Sequence, residues 1–182
     1  AIVVITGPQG NYSAEEAHDL CMEGFTRIAK VAADLGVTVE LEPIHKSVAD
    51  EMTMIWDIPG TLKMLKELNQ PNFKMLFDTW HLWDTPNVLE LIKENIDLVG
   101  GVHVSDWQQV NRSWVDRAFP GEGKLPMMQI LNTLDSSGYS GYYDVEIFSD
   151  DGTYGNDYAD SLWKLSPEEI VDRATRIFRQ PE

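Results

Sequence analysis

The amino-acid sequence predicts an α/β fold built on a parallel β-sheet. Three observations support this prediction: short apolar runs alternate with amphipathic helical segments, no linker or low-complexity tract interrupts them, and the length of 182 residues suits one domain. With 43% hydrophobic and 24% charged residues, the composition is that of an ordinary globular protein. We therefore expect a single domain over residues 1–182.

The first strand and helix are predicted from the N-terminal residues. Residues 2–6 form an uninterrupted β-branched run, which is typical of a strand buried on both faces of a parallel sheet. Ser13 and Glu16 then match a capping box that opens a helix, and Gly36 ends it. Apolar residues recur between these points at helical spacing and are predicted to face the core: Leu20, Cys21, Phe25, Ile28, Ala32 and Leu35.

The same alternation continues to the C-terminus. Four more strands are predicted at residues 37–42, 73–77, 99–104 and 142–147. Helices are predicted at 61–68, 87–96, 126–134 and from 167 towards 178, the last opened by a capping box at Ser166 with a proline in its first turn. The total is five strands in a β/α alternation.

Charge and cysteine content exclude several classes of protein. Thirty acidic against fourteen basic residues give a net charge of −16, which disfavours binding to nucleic acid or to anionic membrane surfaces. A single cysteine, Cys21, cannot form an intrachain disulfide, so we expect a small buried hydrophobe there. The N-terminal segment is predicted as a strand and not as a signal peptide, and we expect a cytoplasmic protein.

The parallel sheet is interpreted as part of a (β/α)₈ barrel. No glycine-rich phosphate-binding motif follows the first strand, so an open nucleotide-binding sheet lacks support. A complete barrel needs eight strands and typically about 250 residues. Only five strands are predicted, so we expect a barrel without three of its βα units. Its open edges would be covered by an upstream segment or by another chain, as in a homo-oligomer.

Candidate functional residues lie where the strands end. Functional groups of parallel α/β folds gather at the carboxyl ends of the strands, and four such ends carry Glu42, Asp78, His103 and Glu146. Singly, each has an ordinary interpretation as a solvated acid, a turn cap or a hydrogen-bonded histidine. Together, three carboxylates and an imidazole suit one divalent ion. We expect Mn²⁺, with Mg²⁺, Co²⁺ or Zn²⁺ as alternatives.

Several motifs in their chain order resemble the xylose isomerase-like TIM-barrel superfamily, in its sugar phosphate isomerase/epimerase branch. The resemblance extends from about Ala1 to Phe178 and rests on VELEPIH at 39–45, FDTWHLW at 77–83, VHVSDW at 102–107, DR at 116–117, PGEG at 120–123, and GYSG at 138–141 leading into VEIF at 145–148. The motif order implies that the missing strands precede the first one here, so that the chain is the C-terminal portion of a barrel.

The resemblance also implies roles for individual residues. The four strand-end residues would be the metal ligands, and Glu42 and Glu146 would also act as acid and base. His81 would bind substrate hydroxyl or carbonyl groups, and Arg117 the polar end of the substrate. The ketose epimerases carry another acidic residue shortly after the first ligand; His45 stands in that region here.

Other residues near the strand ends have two interpretations each. Trp83 and Trp107 would line a sugar pocket, or would pack the barrel mouth or a subunit interface. For Trp114, the second interpretation is predicted, which is packing at the barrel mouth or at a subunit interface. The alternative for Arg117 is a surface salt bridge to Asp116 or Glu122.

The predicted function is that of a metal-dependent isomerase or epimerase, which moves a proton through an enediolate of a small sugar, sugar phosphate or polyol. Two alternatives stay open: an inosose-type dehydratase, and a non-catalytic truncated barrel that keeps the ligands. An apurinic endonuclease is disfavoured by four histidines and the acidic charge.

Overall fold

Five parallel strands form one sheet whose spatial order follows the chain. The computed structural model describes residues 1–179. Its elements are β1 (Ile2–Val4), α1 (Ala14–Asp34), β2 (Val39–Leu41), α2 (Ala49–Met52), α3 (Ile58–Leu68), β3 (Phe73–Asp78), α4 (Thr79–Leu82), α5 (Val88–Asn95), β4 (Val99–Val104), β5 (Asp106–Trp107), β6 (Arg117–Ala118), α6 (Met127–Ser136), β7 (Tyr143–Val145) and α7 (Pro167–Thr175). The sheet order is β1-β2-β3-β4-β7, which confirms the predicted five-stranded α/β fold.

The predicted helix starts agree with the capping interactions. Both bonds of the capping box at Ser13 are present, and the Ser166 hydroxyl accepts a hydrogen bond from the Glu169 amide. Helix α3 begins three residues before the predicted start, because the Asp57 carboxylate accepts a hydrogen bond from the Gly60 amide at 2.7 Å. The one-turn helices α2 and α4 were not predicted, since four residues are too few to show a helical period.

Strand β1 differs from its prediction as a strand buried on both faces. Ile2 is 49% exposed and Val3 is 40% exposed. The reason is that β1 is an edge strand, paired with β2 on one side only. A β-branched run indicates a strand but contains no information on how many neighbours that strand has.

The core-facing side of helix α1 was predicted only in part: Phe25 and Ala32 are buried as expected, but the buried face is turned from the predicted one. Its buried residues are Ala17, Phe25, Ala29 and Ala32. Three of the residues predicted to face the core, Leu20, Ile28 and Leu35, are exposed. Cys21 is half-buried, with its sulfur 3.6 Å from the Thr6 carbonyl oxygen. The helix therefore has an exposed apolar stripe.

The main core lies between the sheet and the helices that cover one of its faces. It includes Val39, Leu41, Met75, Phe77, Val102, Val104, Ile130 and Leu134. Side chains alternate between the two faces of a strand. Since Met75 and Phe77 point into this core, Asp78 points to the opposite face of the sheet. Within residues 1–179, no helix has the length and apolar character needed to cross a bilayer.

Candidate active site

Four side chains converge at the carboxyl end of the sheet. Glu42 follows β2, Asp78 ends β3, His103 lies near the end of β4, and Glu146 follows β7. Each offers one ligand atom, and these four atoms all lie within 4.8 Å of one another. The parallel register places them there, since Asp78 is aligned with His103 and the Glu146 amide donates to the Val104 carbonyl at 3.2 Å. We call these four residues the carboxylate–histidine cluster.

The environment of His103 fits a metal ligand. Its Nδ1 atom is buried and has no hydrogen-bond partner among residues 1–179. This nitrogen lies 3.5 Å from Glu146 Oε2 and 3.9 Å from Glu42 Oε1. Burial lowers the pKa of His103, but the facing carboxylates outweigh it and raise this pKa above its ordinary value. A nitrogen without a partner between carboxylate oxygens is a donor set that a divalent cation satisfies.

Glu42 is a buried carboxyl group whose pKa is strongly shifted by its surroundings. Burial raises its pKa to about 8, with further contributions from the negative charges of Asp78 and Glu146. Glu42 is therefore largely protonated near neutral pH while no cation lies beside it. A bound divalent cation would favour the ionised form, because opposite charge stabilises a carboxylate.

Arg117 lies inside the site and not on the surface. Its side chain is 2% exposed, and Nη1 donates to Glu146 Oε2 at 2.7 Å and to Asp78 Oδ2 at 3.1 Å. The alternative of a surface salt bridge to Asp116 or Glu122 is wrong. Those two acids pair with other arginines, Arg112 and Arg173, at 2.6 and 2.5 Å.

His81 presents a hydrogen-bond donor to the cluster. The His45 backbone N–H donates to His81 Nδ1 at 2.9 Å, so the neutral ring carries its proton on Nε2. Burial and then the Arg117 charge lower the pKa of His81 well below its ordinary value, which keeps the ring neutral. Nε2 lies 3.2 Å from Arg117 Nη2. Nε2 also lies 3.7 Å from Asp78 Oδ2 and 3.9 Å from Glu42 Oε1, so His81 lies directly beside the cluster.

His45 contacts the site through its backbone. Its ring nitrogens lie 2.8 Å from Ser47 Oγ and 3.4 Å from Asp84 Oδ2. The ring is buried and packs edge-on against Trp107 at 5.0 Å between centroids. The structure therefore places the ring in a polar network of its own, while the amide orients His81; direct substrate binding by His45 stays a prediction.

Three tryptophans pack together beside His45 and His81. Trp107 packs against Trp80 and Trp83, with centroid distances of 4.8 and 5.7 Å, and its indole N–H donates to the Trp80 carbonyl at 2.8 Å. The buried Nε1 of Trp83 has no hydrogen-bond partner among residues 1–179. Trp114 is half-buried and packs against Phe148, with 5.5 Å between ring centroids. Sugar contacts of Trp83 and Trp107 stay predictions.

Ser105 belongs to the site and was not predicted from the sequence. Its hydroxyl accepts a hydrogen bond from Arg117 Nη1 at 3.1 Å, and its backbone N–H donates to Thr79 Oγ1 at 3.0 Å. A signal for it was present. Ser105 follows His103 by two positions, and side chains two residues apart in an extended chain share a face.

Comparison with known proteins decides the family. A family model of the xylose isomerase-like TIM barrel matches residues 1–180. The chain belongs to the xylose isomerase-like TIM-barrel family. The sequence resemblance is thereby confirmed.

Proteins with related sequences or folds include named sugar enzymes. The inosose isomerase of Halalkalibacterium halodurans is 23% identical over 158 residues, which are 85% of this chain and 51% of that protein. A Sinorhizobium meliloti 1021 structure has a TM-score of 0.83 at 22% identity, covering 97% of this chain and 62% of the other.

Two further solved structures with a related fold are a zinc-bound protein and a sugar epimerase. The IOLI protein with a bound zinc atom has a TM-score of 0.74 at 19% identity, with 97% of this chain and 59% of that chain covered. The D-allulose 3-epimerase of a Methylomonas species has a TM-score of 0.75 at 21% identity, with coverages of 96% and 59%. The chain thus spans about half the length of the curated relative and about three fifths of these structures.

Proposed function

We propose that these residues form the metal-binding and proton-transferring part of an isomerase or epimerase for a small sugar, sugar phosphate or related polyol. The observation that carries the proposal is the carboxylate–histidine cluster, whose ligand atoms lie within 4.8 Å of one another. Similarity to an inosose isomerase and to the structure of a D-allulose 3-epimerase supports the substrate class.

The cluster would hold one divalent ion. Three carboxylate oxygens and one imidazole nitrogen are acceptable to several divalent metals, and we propose Mn²⁺ first and Zn²⁺ next, because zinc occupies a related fold. When bound, such an ion supplies stabilisation for the negative charge that develops on a substrate oxygen.

The protein side chains would move the proton. Glu42 and Glu146 follow strands that are three places apart in the sheet, so they approach the centre from different sides. One carboxylate would remove a proton from the carbon next to a carbonyl, and the other would deliver one to the opposite face. A bound ion would favour the ionised form of Glu42, which is the form that removes a proton.

The remaining pocket residues would bind and orient the sugar. His81 and Arg117, whose Nε2 and Nη2 atoms lie 3.2 Å apart, would bind hydroxyl, carbonyl or other polar groups of the substrate. Trp83 and Trp107 would cover an apolar C–H face of the sugar. The exposed apolar surfaces of β1 and α1 would be covered by further polypeptide, from the same chain or from a second copy.

Proton exchange with solvent tests this function directly. The protein is incubated with a divalent metal in ²H₂O, together with a panel of ketoses, their phosphates and an inosose. We expect deuterium at one substrate carbon without loss of water. Release of an unsaturated diketone would instead indicate the dehydratase. Metal binding without exchange on any substrate would indicate the non-catalytic barrel.

Substitution of Glu146 assigns the exchange to the cluster. Glu146→Gln removes the titrating oxygen but keeps the shape, and we expect exchange to fall at least about 100-fold, the usual contribution of a general acid or base. The matched control is Glu122→Gln, since Glu122 pairs with Arg173 outside the cluster. Unchanged exchange in Glu146→Gln would remove Glu146 from the mechanism.

A further inference from the structure

Arg117 places a positive charge beside the cluster. Glu146 Oε2 lies 2.7 Å from Arg117 Nη1 and 3.5 Å from His103 Nδ1, so the oxygen that faces the cluster also binds the guanidinium. The two carboxylate oxygens of Asp78 have different donors. Oδ1 accepts a hydrogen bond from the Trp80 amide at 2.7 Å, and Oδ2 accepts one from Arg117 at 3.1 Å. Two of the four candidate ligands are therefore already bound to a fixed positive charge.

The guanidinium is held firmly in this position. It lies 5.1 Å from the Trp80 ring centroid and 5.0 Å from that of Phe148. Ser105 Oγ accepts from Nη1 at 3.1 Å, and the Arg117 backbone N–H donates to the Phe148 carbonyl at 3.1 Å. The Arg117 side chain is also only 2% exposed, so it cannot turn towards solvent without losing these contacts. An ion entering the cluster must share Asp78 and Glu146 with it.

We propose that Arg117 sets the metal affinity of the cluster: its guanidinium competes with a divalent ion for Asp78 and Glu146, and so keeps the ion exchangeable. The inference rests on the metal site of the proposed function. Without the ion, Arg117 compensates the charge of buried carboxylates and stabilises the protein. With the ion, it places a like charge a few ångströms away, which weakens binding.

The test uses Co²⁺ and Zn²⁺ alone as probes on metal-stripped protein. Affinity is measured by Co²⁺ absorption and by Zn²⁺ competition, and stability by the melting temperature without metal. For Arg117→Met we expect Co²⁺ binding at least about ten-fold tighter than in the wild type, because a nearby like charge has gone. We also expect a lower melting temperature without metal and a larger rise when metal is added.

Two controls separate charge from packing. Arg117→Lys keeps the charge, so we expect its Co²⁺ affinity to stay within about three-fold of the wild type. Arg112→Met breaks the Arg112–Asp116 pair outside the cluster, so it should lower the melting temperature and leave the metal affinity unchanged. If Arg117→Met does not fold, Arg117→Gln replaces it, since the amide keeps a hydrogen-bond donor without the charge, and the same increase is expected.

The outcomes distinguish this inference from the proposed function. Equal or weaker Co²⁺ binding in the uncharged Arg117 variant would overturn the inference while leaving the metal site in place. No binding of either metal by the wild type would overturn both. Tighter binding in the variant, with no sugar turned over by the wild type, would support the inference and contradict the catalytic proposal.

Discussion

Glu42 shows how neighbouring groups determine the chemistry of a single carboxyl group. From the sequence, a glutamate before a proline at a strand end is equally consistent with a solvated acid. In the structure it is buried against Asp78 and Glu146, and its pKa is raised to about 8. The residue type and strand position were predictable, but the burial depends on strands far away in the sequence.

The raised pKa of Glu42 predicts a pH dependence of stability. A carboxyl group whose pKa is higher in the folded state binds its proton more tightly there, so folding is favoured at low pH. Without metal, the free energy of unfolding should therefore fall as pH rises from 4.5 towards 8, by an amount on the order of a few kcal/mol. Denaturant unfolding with a chelator present, repeated across this range, measures the fall.

Glu42→Gln should flatten this dependence, because the amide does not titrate. Glu23→Gln, an exposed position in α1, serves as the control and should leave the slope unchanged. Parallel curves for the wild type and Glu42→Gln would show that Glu42 is not the titrating group.

His45 and Ser105 mark the limit of prediction at this scale. Strand ends were correctly identified, so the residues of the cluster could be found by position alone. The ring of His45 faces Ser47 and Asp84 because the loop after β2 forms a 3₁₀ turn at Lys46–Val48. A turn this short has no periodic sequence pattern by which it could be predicted. Side-chain direction in loops therefore required the structure.

At the scale of the elements, a side chain of β2 limits the space available to a residue of β4, two strands away in the sheet. Gly101 lies on the face of the cluster, two residues before His103, beneath the carboxyl group of Glu40 on β2. A Cβ at Gly101 would lie 2.5 Å from Glu40 Oε2 and 2.8 Å from Leu76 Cδ1. A larger residue at this position would have to displace the buried side chains of Glu40 and Leu76, which the sequence pattern of a strand does not reveal.

A pair of glycine substitutions tests this packing. Gly101→Ala should destabilise the protein by about 1–3 kcal/mol through overpacking. Gly24→Ala is the matched control, since a Cβ at this helical position meets nothing within 4 Å and should stabilise by about 0.5–1 kcal/mol. Urea denaturation midpoints measure both. A neutral or stabilising Gly101→Ala would show that the space above β4 is not filled.

Capping and edge positions differ in how far local sequence predicts them. The capping box at Ser13 is complete within four residues and was predicted correctly. The exposure of Ile2 and Val3 was not, because it depends on β1 being paired on one side only. Local interactions can be predicted from sequence, whereas burial depends on the neighbours of an element.

At the scale of the whole molecule, the sheet assembles the site. The cluster takes one residue from each of four adjacent strands, so its geometry depends on the parallel register of β2, β3, β4 and β7. The strand count, the parallel order and the convergence of the strand ends all followed from the alternation of elements. The central claim is that this arrangement holds one divalent ion.

The metal stoichiometry of the purified chain tests that claim most directly. Elemental analysis and Co²⁺ titration of metal-stripped protein should give about one equivalent for the wild type. His103→Gln should lower the affinity at least about ten-fold, because it removes the nitrogen ligand, whereas His18→Gln in α1 should not change it. No bound metal in the wild type, or equal binding in His103→Gln, would contradict a metal centre at the carboxylate–histidine cluster.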